Sequence, residues 1–191
     1  MTRNVRGRLT IGLLNTYDRR SLREPHRRVI ARCGPLCEAF DWNLALFGFP
    51  FPRDLRTPDE VANWLASTTS IGEDGRYTIE LSDSGRLSIF PLPGRGFPPQ
   101  LGSPVVTTRR PFQDCSVTVE EIAGRSLAGT SFLLLFGLGP KGIPSEFFEM
   151  SKIHFDVTAR GKTLETCTAV GAVVASVSTA IRMLSSEKAR D

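Results

Sequence analysis

Apolar residues fall into short runs along this chain, and the spacing inside each run predicts an element. Residues 8 to 15, R-L-T-I-G-L-L-N, read as a buried strand with Leu9, Ile11 and Leu13 on one face. A polar, Arg-rich loop follows from Asn15 to Glu24, and Pro25 suits the first turn of a helix reaching about Phe40, with Gly34-Pro35 expected to kink or split it. Trp42 to Phe49 is a second strand. Thr57-Pro58-Asp59-Glu60 has the form of a capping box that opens a helix, with Val61, Trp64 and Leu65 turned inward. Tyr77 to Leu81 and Arg86 to Phe90 alternate with period two around Asp83-Ser84-Gly85, which predicts a β-hairpin. Five prolines between Pro91 and Pro104 forbid regular structure there, so residues 68–103 are expected to form an insertion beside the core, a hairpin with a Pro-rich loop. Pro104 to Thr108 is a short strand, Thr118-Val119-Glu120-Glu121 opens a helix, and Phe132 to Phe136 and Ile153 to Val157 are buried strands. Strands alternating with helices predict an α/β fold with a mainly parallel sheet, in a single domain over residues 1–191.

The last helix, about Thr163 to Leu184, has a different pattern. Val170, Val173, Val174, Val177, Ile181 and Leu184 share one face, and Gly171, Ala172, Ala175, Ser176, Ser178 and Thr179 occupy the other. No charge occurs between Glu165 and Arg182, so the helix is expected to be covered on both sides, by the core and a second subunit or wholly within the monomer.

Composition narrows the class. With 191 residues, 40% hydrophobic and 23% charged, the chain is globular, and no run reaches the ~18 apolar residues of a membrane span. The first eight residues lack the apolar core of a secretory signal, and Cys33, Cys37, Cys115 and Cys167 suit neither a disulfide framework nor a zinc site. A cytoplasmic protein without a metal is the expectation. Cys33 and Cys37 would share a helix face. The net charge is only +4, yet residues 1–32 hold nine arginines against Asp18 and Glu24. That is the footprint of RNA or another polyanion, or else a solvated basic face in a chain with 20 arginines to 4 lysines.

Gly137-Leu138-Gly139-Pro140-Lys141-Gly142 matches G-x-G-x-x-G after a strand, with Asp156 placed as a ribose-binding acid would be. Against an NAD(P) site stand its late position, with only 49 residues after Gly142, and Pro144, which prevents the last glycine from sitting inside a continuing helix.

Three segments together carry a resemblance. Val105 to Arg110 reads V-V-T-T-R-R, Phe136 to Pro144 reads F-G-L-G-P-K-G-I-P, and Thr163 to Gly171 reads T-L-E-T-C-T-A-V-G. In this order the chain resembles the SPOUT (α/β-knot) class of S-adenosylmethionine-dependent RNA methyltransferases, and within it a group of archaeal SPOUT-like proteins. The resemblance spans all but roughly residues 68–103. It implies a C-terminal trefoil knot and a homodimer through the last helix. It implies S-adenosylmethionine held by Thr107, Thr108, Gly137, Leu138, Gly139, Gly142, Ile143, Thr158, Thr163, Leu164 and Thr168. Tight turns alone would also account for the glycines. In ribose-methylating members of the class a catalytic arginine lies on the first helix, where Arg27, Arg28 and Arg32 compete for the place and Arg28 and Arg32 are the candidates, and RNA contacts would come from Arg19, Arg20, Arg23, Arg27, Arg28, Arg109 and Arg110. Gly139 and Glu165 depart from the class, which usually has Glu and Asn there. Glu165 reads either as a base or as a first-turn acid suited to the helix dipole.

Three functions are compatible with these features. They are an RNA methyltransferase acting on tRNA or rRNA, a knotted RNA-binding protein without catalysis, and an NAD(P) enzyme.

Overall fold

The computed structural model of the chain describes residues 6–68, 72–139 and 142–188. Six parallel strands form one sheet in the order β3-β2-β1-β5-β4-β6. They are β1 (Leu9–Leu14), β2 (Asn43–Phe47), β3 (Leu87–Phe90), β4 (Ser103–Thr107), β5 (Phe132–Gly137) and β6 (His154–Phe155). β1 and β5 lie in the middle and are buried along their lengths, apart from the half-buried Gly137 that ends β5. Both carry the near-continuous apolar sequence that burial on two faces requires.

The two faces are covered differently. On one, Leu9, Ile11 and Leu13 pack with α1 (Glu24–Phe40), α4 (Val119–Leu127) and α6 (Thr166–Lys188). Val170, Val173, Val174 and Val177 of α6 are fully buried there, each contributing about 1.5–3 kcal/mol. Trp42 joins this layer, its indole N–H donating to Ser178 Oγ at 3.0 Å. On the other face Leu14, Ala45, Phe47, Leu133 and Leu135 meet no long helix among the described residues. Leu92, Phe97 and Leu101 of the Pro-rich segment and Phe147 of the short α5 (Ser145–Glu149) cover them. Phe47 stacks on Phe90 and meets Phe97 edge-on, with ring centroids 5.4 Å apart in both pairs.

That arrangement corrects the hairpin expected at Tyr77 to Phe90. Residues Gly75–Asp83 form a helix, α3, and only Leu87–Phe90 is a strand, paired in parallel with β2. The buried positions of α3 are Gly75, Thr78, Leu81 and Ser82, a helical spacing hidden because two of them are hydroxyl residues. Thr78 Oγ1 donates to the Gly75 carbonyl and Ser82 Oγ to Asp59, so neither hydroxyl is buried unpaired. The segment supplies an edge strand and the cover for one sheet face, so it is not an appendage beside the core. Residues 69–71 lie outside the described residues.

Two helix expectations are also adjusted. α1 runs through Pro35 without being split, because packing against the sheet, α3 and α6 outweighs one lost backbone bond. α2 (Pro58–Ala66) has the capping box read from Thr57 and Glu60. α6 begins at Thr166, three residues later than expected. Its length and hydropathy would suffice for a membrane span, but its valine face is packed in the core. Ala175 and Thr179 on the opposite face are exposed, so the monomer alone does not cover this helix.

Candidate functional site

At the carboxyl ends of β4, β5 and β6 the chain leaves the sheet in three loops, the position where parallel sheets hold ligands. The loops enclose one cavity of about 670 Å³. Its lining comes from all three: Thr107 to Arg110 and Phe112, then Gly137, Gly139, Gly142 and Ile143, then Asp156, Val157 and Lys162 to Leu164. Phe136, Phe155, Ala169 and Val173 make an apolar floor. The volume lies within the range of small-molecule and cofactor sites.

The side chains of this region are largely spent on fixing backbone. Thr107 Oγ1 donates to the Leu135 carbonyl at 2.5 Å, and Thr166 Oγ1 to that of Gly137 at 3.2 Å. Thr108 Oγ1 accepts from the Arg110 N–H at 3.1 Å, which turns the first loop. In the third loop Asp156 is a clasp. One carboxylate oxygen accepts from the N–H and hydroxyl of Thr158, and the other from the Gly161 N–H. The loop hydrogen bonds hold its carboxyl below the usual carboxylate range against the opposing effect of burial. A carboxylate engaged in this way is not free to bind ribose hydroxyls, which removes the main support for an NAD(P) site. The glycines admit tight backbone packing. A Cβ on Gly137 would lie 2.3 Å from the Gly142 carbonyl carbon, and Gly142 has φ +66°. Pro140 and Lys141 lie outside the described residues.

A second hollow, about 590 Å³, lies on the other side of the Gly137–Gly139 strand end. It is lined by Glu24, Arg28, Arg32, Leu138, Glu165, Cys167 and Thr168. Arg28 is held by Glu24 at 3.3 Å. Burial pushes the Cys167 thiol up, and the adjacent Arg32 opposes that shift. Glu165 Oε2 accepts the backbone N–H groups of Cys167 and Thr168 at 2.9 and 3.2 Å, capping α6.

A buried polar junction not anticipated as part of a site ties the end of β1 to the first turn of α1. Asn15, at the end of β1, donates from Nδ2 to the carbonyls of Asp18 and Gly48, and its Oδ1 meets His26 Nε2 at 2.9 Å. His26 Nδ1 accepts the Arg23 N–H at 2.8 Å, which places the ring proton on Nε2. Burial lowers the His26 pKa, so the neutral ring is the folded form. The adjacent Thr16 hydroxyl donates to the Gly142 carbonyl at 3.0 Å, tying the β1 loop to the glycine loop.

Most residues assigned to a cofactor do meet. Thr107, Thr108, Gly137, Gly139, Gly142, Ile143, Thr163 and Leu164 line the main cavity, while Leu138 and Thr168 face the second hollow. Thr158 lies behind the third loop, where its hydroxyl serves Asp156, Arg160 and Lys162. Thr163 lies in the loop before α6, and the cap of that helix is Glu165. Arg28, Arg32 and Glu165 meet in the second hollow. The arginines assigned to RNA divide. Arg19, Arg20, Arg23, Arg28, Arg109 and Arg110 are exposed, although Arg23 pairs with Asp18 at 3.1 Å. Arg27 is turned onto the Trp64 ring at 5.3 Å. The sequence reading missed Asn15, His26, Phe112, Phe148, Lys162 and Thr166. Asn15 alone carried a signal, as a polar residue at the carboxyl end of a buried strand.

With this geometry in view, a family described as protein of unknown function (DUF531) matches residues 9–178. The uncharacterised protein MJ0224 of Methanocaldococcus jannaschii is 36% identical over 168 residues, covering 88% of this chain and 92% of that one. The chain belongs to this family. Its fold is similar to that of a probable methylase family protein from Haemophilus influenzae, with TM-score 0.63 at 14% identity, covering 95% of this chain and 68% of that one. It is also similar to a TrmH/SpoU tRNA modifying enzyme of A. aeolicus, with TM-score 0.53 at 12% identity, covering 95% and 81%. This member of the DUF531 family thus has the fold of the SPOUT methyltransferases, as its three loop segments implied.

Proposed function

We propose that the protein is an S-adenosylmethionine-dependent RNA methyltransferase of the knotted type, acting on tRNA or rRNA. One observation carries the reading. The three loops that resemble the SPOUT cofactor motifs enclose a single cavity, and a hollow bearing Arg28 and Arg32 lies next to it across the β5 end. The cavity fits the cofactor chemically, with an apolar floor of Phe136, Phe155 and Val173 and glycine backbone that approaches closely. Thr107, Thr108, Gly137, Gly139, Ile143, Thr163 and Leu164 would hold it. The bound cofactor supplies a methyl group on a sulfonium centre, already activated toward a nucleophile. The protein's part is then alignment, which accounts for large rate factors in such transfers. Arg28 and Arg32 hold a phosphate or ribose of the RNA against the Leu138 wall, and Arg19, Arg20, Arg109 and Arg110 extend the cationic surface. The half-uncovered α6, with Ala175 and Thr179 exposed, is the face of a homodimer. Sedimentation should show two copies, and a monomer at micromolar concentration would remove that element.

Calorimetry with S-adenosylmethionine tests the core of the reading. We expect saturable heat, and incorporation of labelled methyl into RNA from cells lacking the gene. Absence of both heat and thermal shift at millimolar cofactor would overturn it. A second reading, RNA binding without catalysis, draws on Glu165, whose carboxylate is engaged as a helix cap. It predicts RNA binding with no methyl incorporation.

A further inference from the structure

Phe112 is, with Tyr17, Leu164 and Met183, one of the large apolar side chains exposed among the described residues. It is 56% exposed, at the rim of the main cavity, directly after Arg109, Arg110 and Pro111. Its ring nevertheless has a built support. It lies 5.6 Å from Phe148 and 4.9 Å from His154, and those two rings are 5.1 Å apart, nearly perpendicular. His154 is fully buried, and its Nδ1 accepts the Phe112 N–H at 3.1 Å. The His154 carbonyl accepts the Val117 N–H at 3.0 Å, so the loop is pinned to β6 at Phe112 and again five residues on. An aromatic ring held rigidly in solvent gives up burial of its own surface. Such a position is accounted for when a flat partner covers the ring.

We propose that Phe112 is a stacking platform for an unpaired RNA base at the cavity mouth, with Arg109 and Arg110 holding the flanking phosphates. The proposal rests on the RNA methyltransferase reading and names how that site takes its substrate. Two features favour an RNA base over the adenine of the cofactor as the occupant. The cations beside the ring, Arg109, Arg110 and Lys162, are exposed, and none has a salt-bridge partner among the described residues. They suit the phosphodiesters of RNA, whereas the cofactor carries no phosphate. The ring also faces solvent at the rim, while the cavity floor already provides Phe136 and Phe155 for a ligand inside. Aromatic rings interleaved with basic residues are the usual way of holding single-stranded nucleic acid without base-specific hydrogen bonds.

The test compares the full-length protein with F112A, F112L and F112W by fluorescence anisotropy. The probes are a labelled single-stranded oligouridine and an abasic ribose-phosphate chain of equal length. F112A and F112L should weaken oligouridine binding by about tenfold and leave the abasic chain within about twofold, with F112W near wild type. Circular dichroism and thermal melting should show the variants folded, and calorimetry should show that they still bind S-adenosylmethionine. Equal losses on both chains, no loss on oligouridine, or a loss confined to the cofactor would each overturn the stacking role. The last of these would assign the ring to adenine. A wild-type protein that binds neither cofactor nor oligouridine would instead overturn the methyltransferase reading itself. Removing Arg109 and Arg110 together should weaken both chains alike and flatten the salt dependence.

Discussion

The two hollows on either side of the β5 end are built from different materials. Above its apolar floor the main cavity is held in shape by backbone: its threonine hydroxyls and Asp156 are turned onto carbonyls and N–H groups, and glycines bring two loops into contact. The second hollow is made of side chains, Arg28, Arg32 and Glu165, and α1, which carries its two arginines, is joined to β1 by the Asn15–His26 junction. A backbone-built site holds its shape through chain geometry and tolerates many side-chain changes. A side-chain-built site depends on each hydrogen bond and on protonation. The two should therefore fail in different ways when perturbed.

The largest effect is expected from Gly137→Ala. The added Cβ would meet Gly142 backbone at 2.3 Å, so one loop must move. A loss of about 3 kcal/mol or more in denaturant unfolding, with loss of cofactor heat, is the expected result. Unchanged cofactor affinity in this variant would break the comparison at its first term. Asn15→Ala comes next. It strips the Asp18 and Gly48 carbonyls and His26 Nε2 of their partner in a buried setting, at about 2–4 kcal/mol. The melting temperature should fall by roughly 5–15 °C, with the cofactor heat retained because β4, β5 and β6 line that cavity.

His26 of that junction, and His154 beneath the rim of the main cavity, give the fold a pH dependence. His26 is held below its ordinary value of 6.5, chiefly by burial, and so is His154. The unfolded chain therefore takes up protons at a higher pH than the folded one. Stability is complete above about pH 6.5 and declines as pH falls from there toward the depressed folded values. Asp18, held well below the carboxylate range first by the Arg20 N–H and then by Arg23, adds a loss only below its ordinary 3.8. Between pH 7 and pH 5 the histidines thus dominate, and the melting temperature should drop over that interval. His26→Gln should be less stable throughout but show a shallower drop. A flat wild-type profile would remove the junction from the account.

How far the sequence led follows the same division. The parallel sheet was legible because strands buried on two faces are apolar throughout, as Phe132 to Phe136 shows. The main cavity was legible because a backbone-built site leaves glycines and threonines at loop positions fixed relative to strands. Gly75–Asp83 was misread because Thr78 and Ser82 occupy inward positions, their hydroxyls satisfied by the Gly75 carbonyl and by Asp59 of α2, so the hydrophobic count favoured period two. The role of the Pro-rich segment was hidden for another reason: Leu92, Phe97 and Leu101 cover a sheet face without any periodicity. The Asn15–His26 pair and the Phe112–His154 contact join residues 11 and 42 positions apart through tertiary packing, and no local pattern encodes either.

The smallest expected effect falls on the residue that separates catalysis from support. Glu165 accepts two N–H groups at the start of α6, and replacing it with Ala should cost about 1 kcal/mol of stability. If capping is its whole role, methyl incorporation by Glu165→Ala stays within about threefold of wild type once the protein is folded. A general base would instead be worth about a hundredfold or more. Glu165→Gln sharpens the distinction, since its amide oxygen can still accept from Cys167 and Thr168 but cannot take a proton from a nucleophile. Rescue of both stability and incorporation by Gln assigns Glu165 to the helix. The proton of the RNA nucleophile would then leave by way of solvent or of a group outside the second hollow. Rescue of stability alone would move Glu165 into the chemistry and make that hollow, rather than the glycine-lined cavity, the part of the site least tolerant of change.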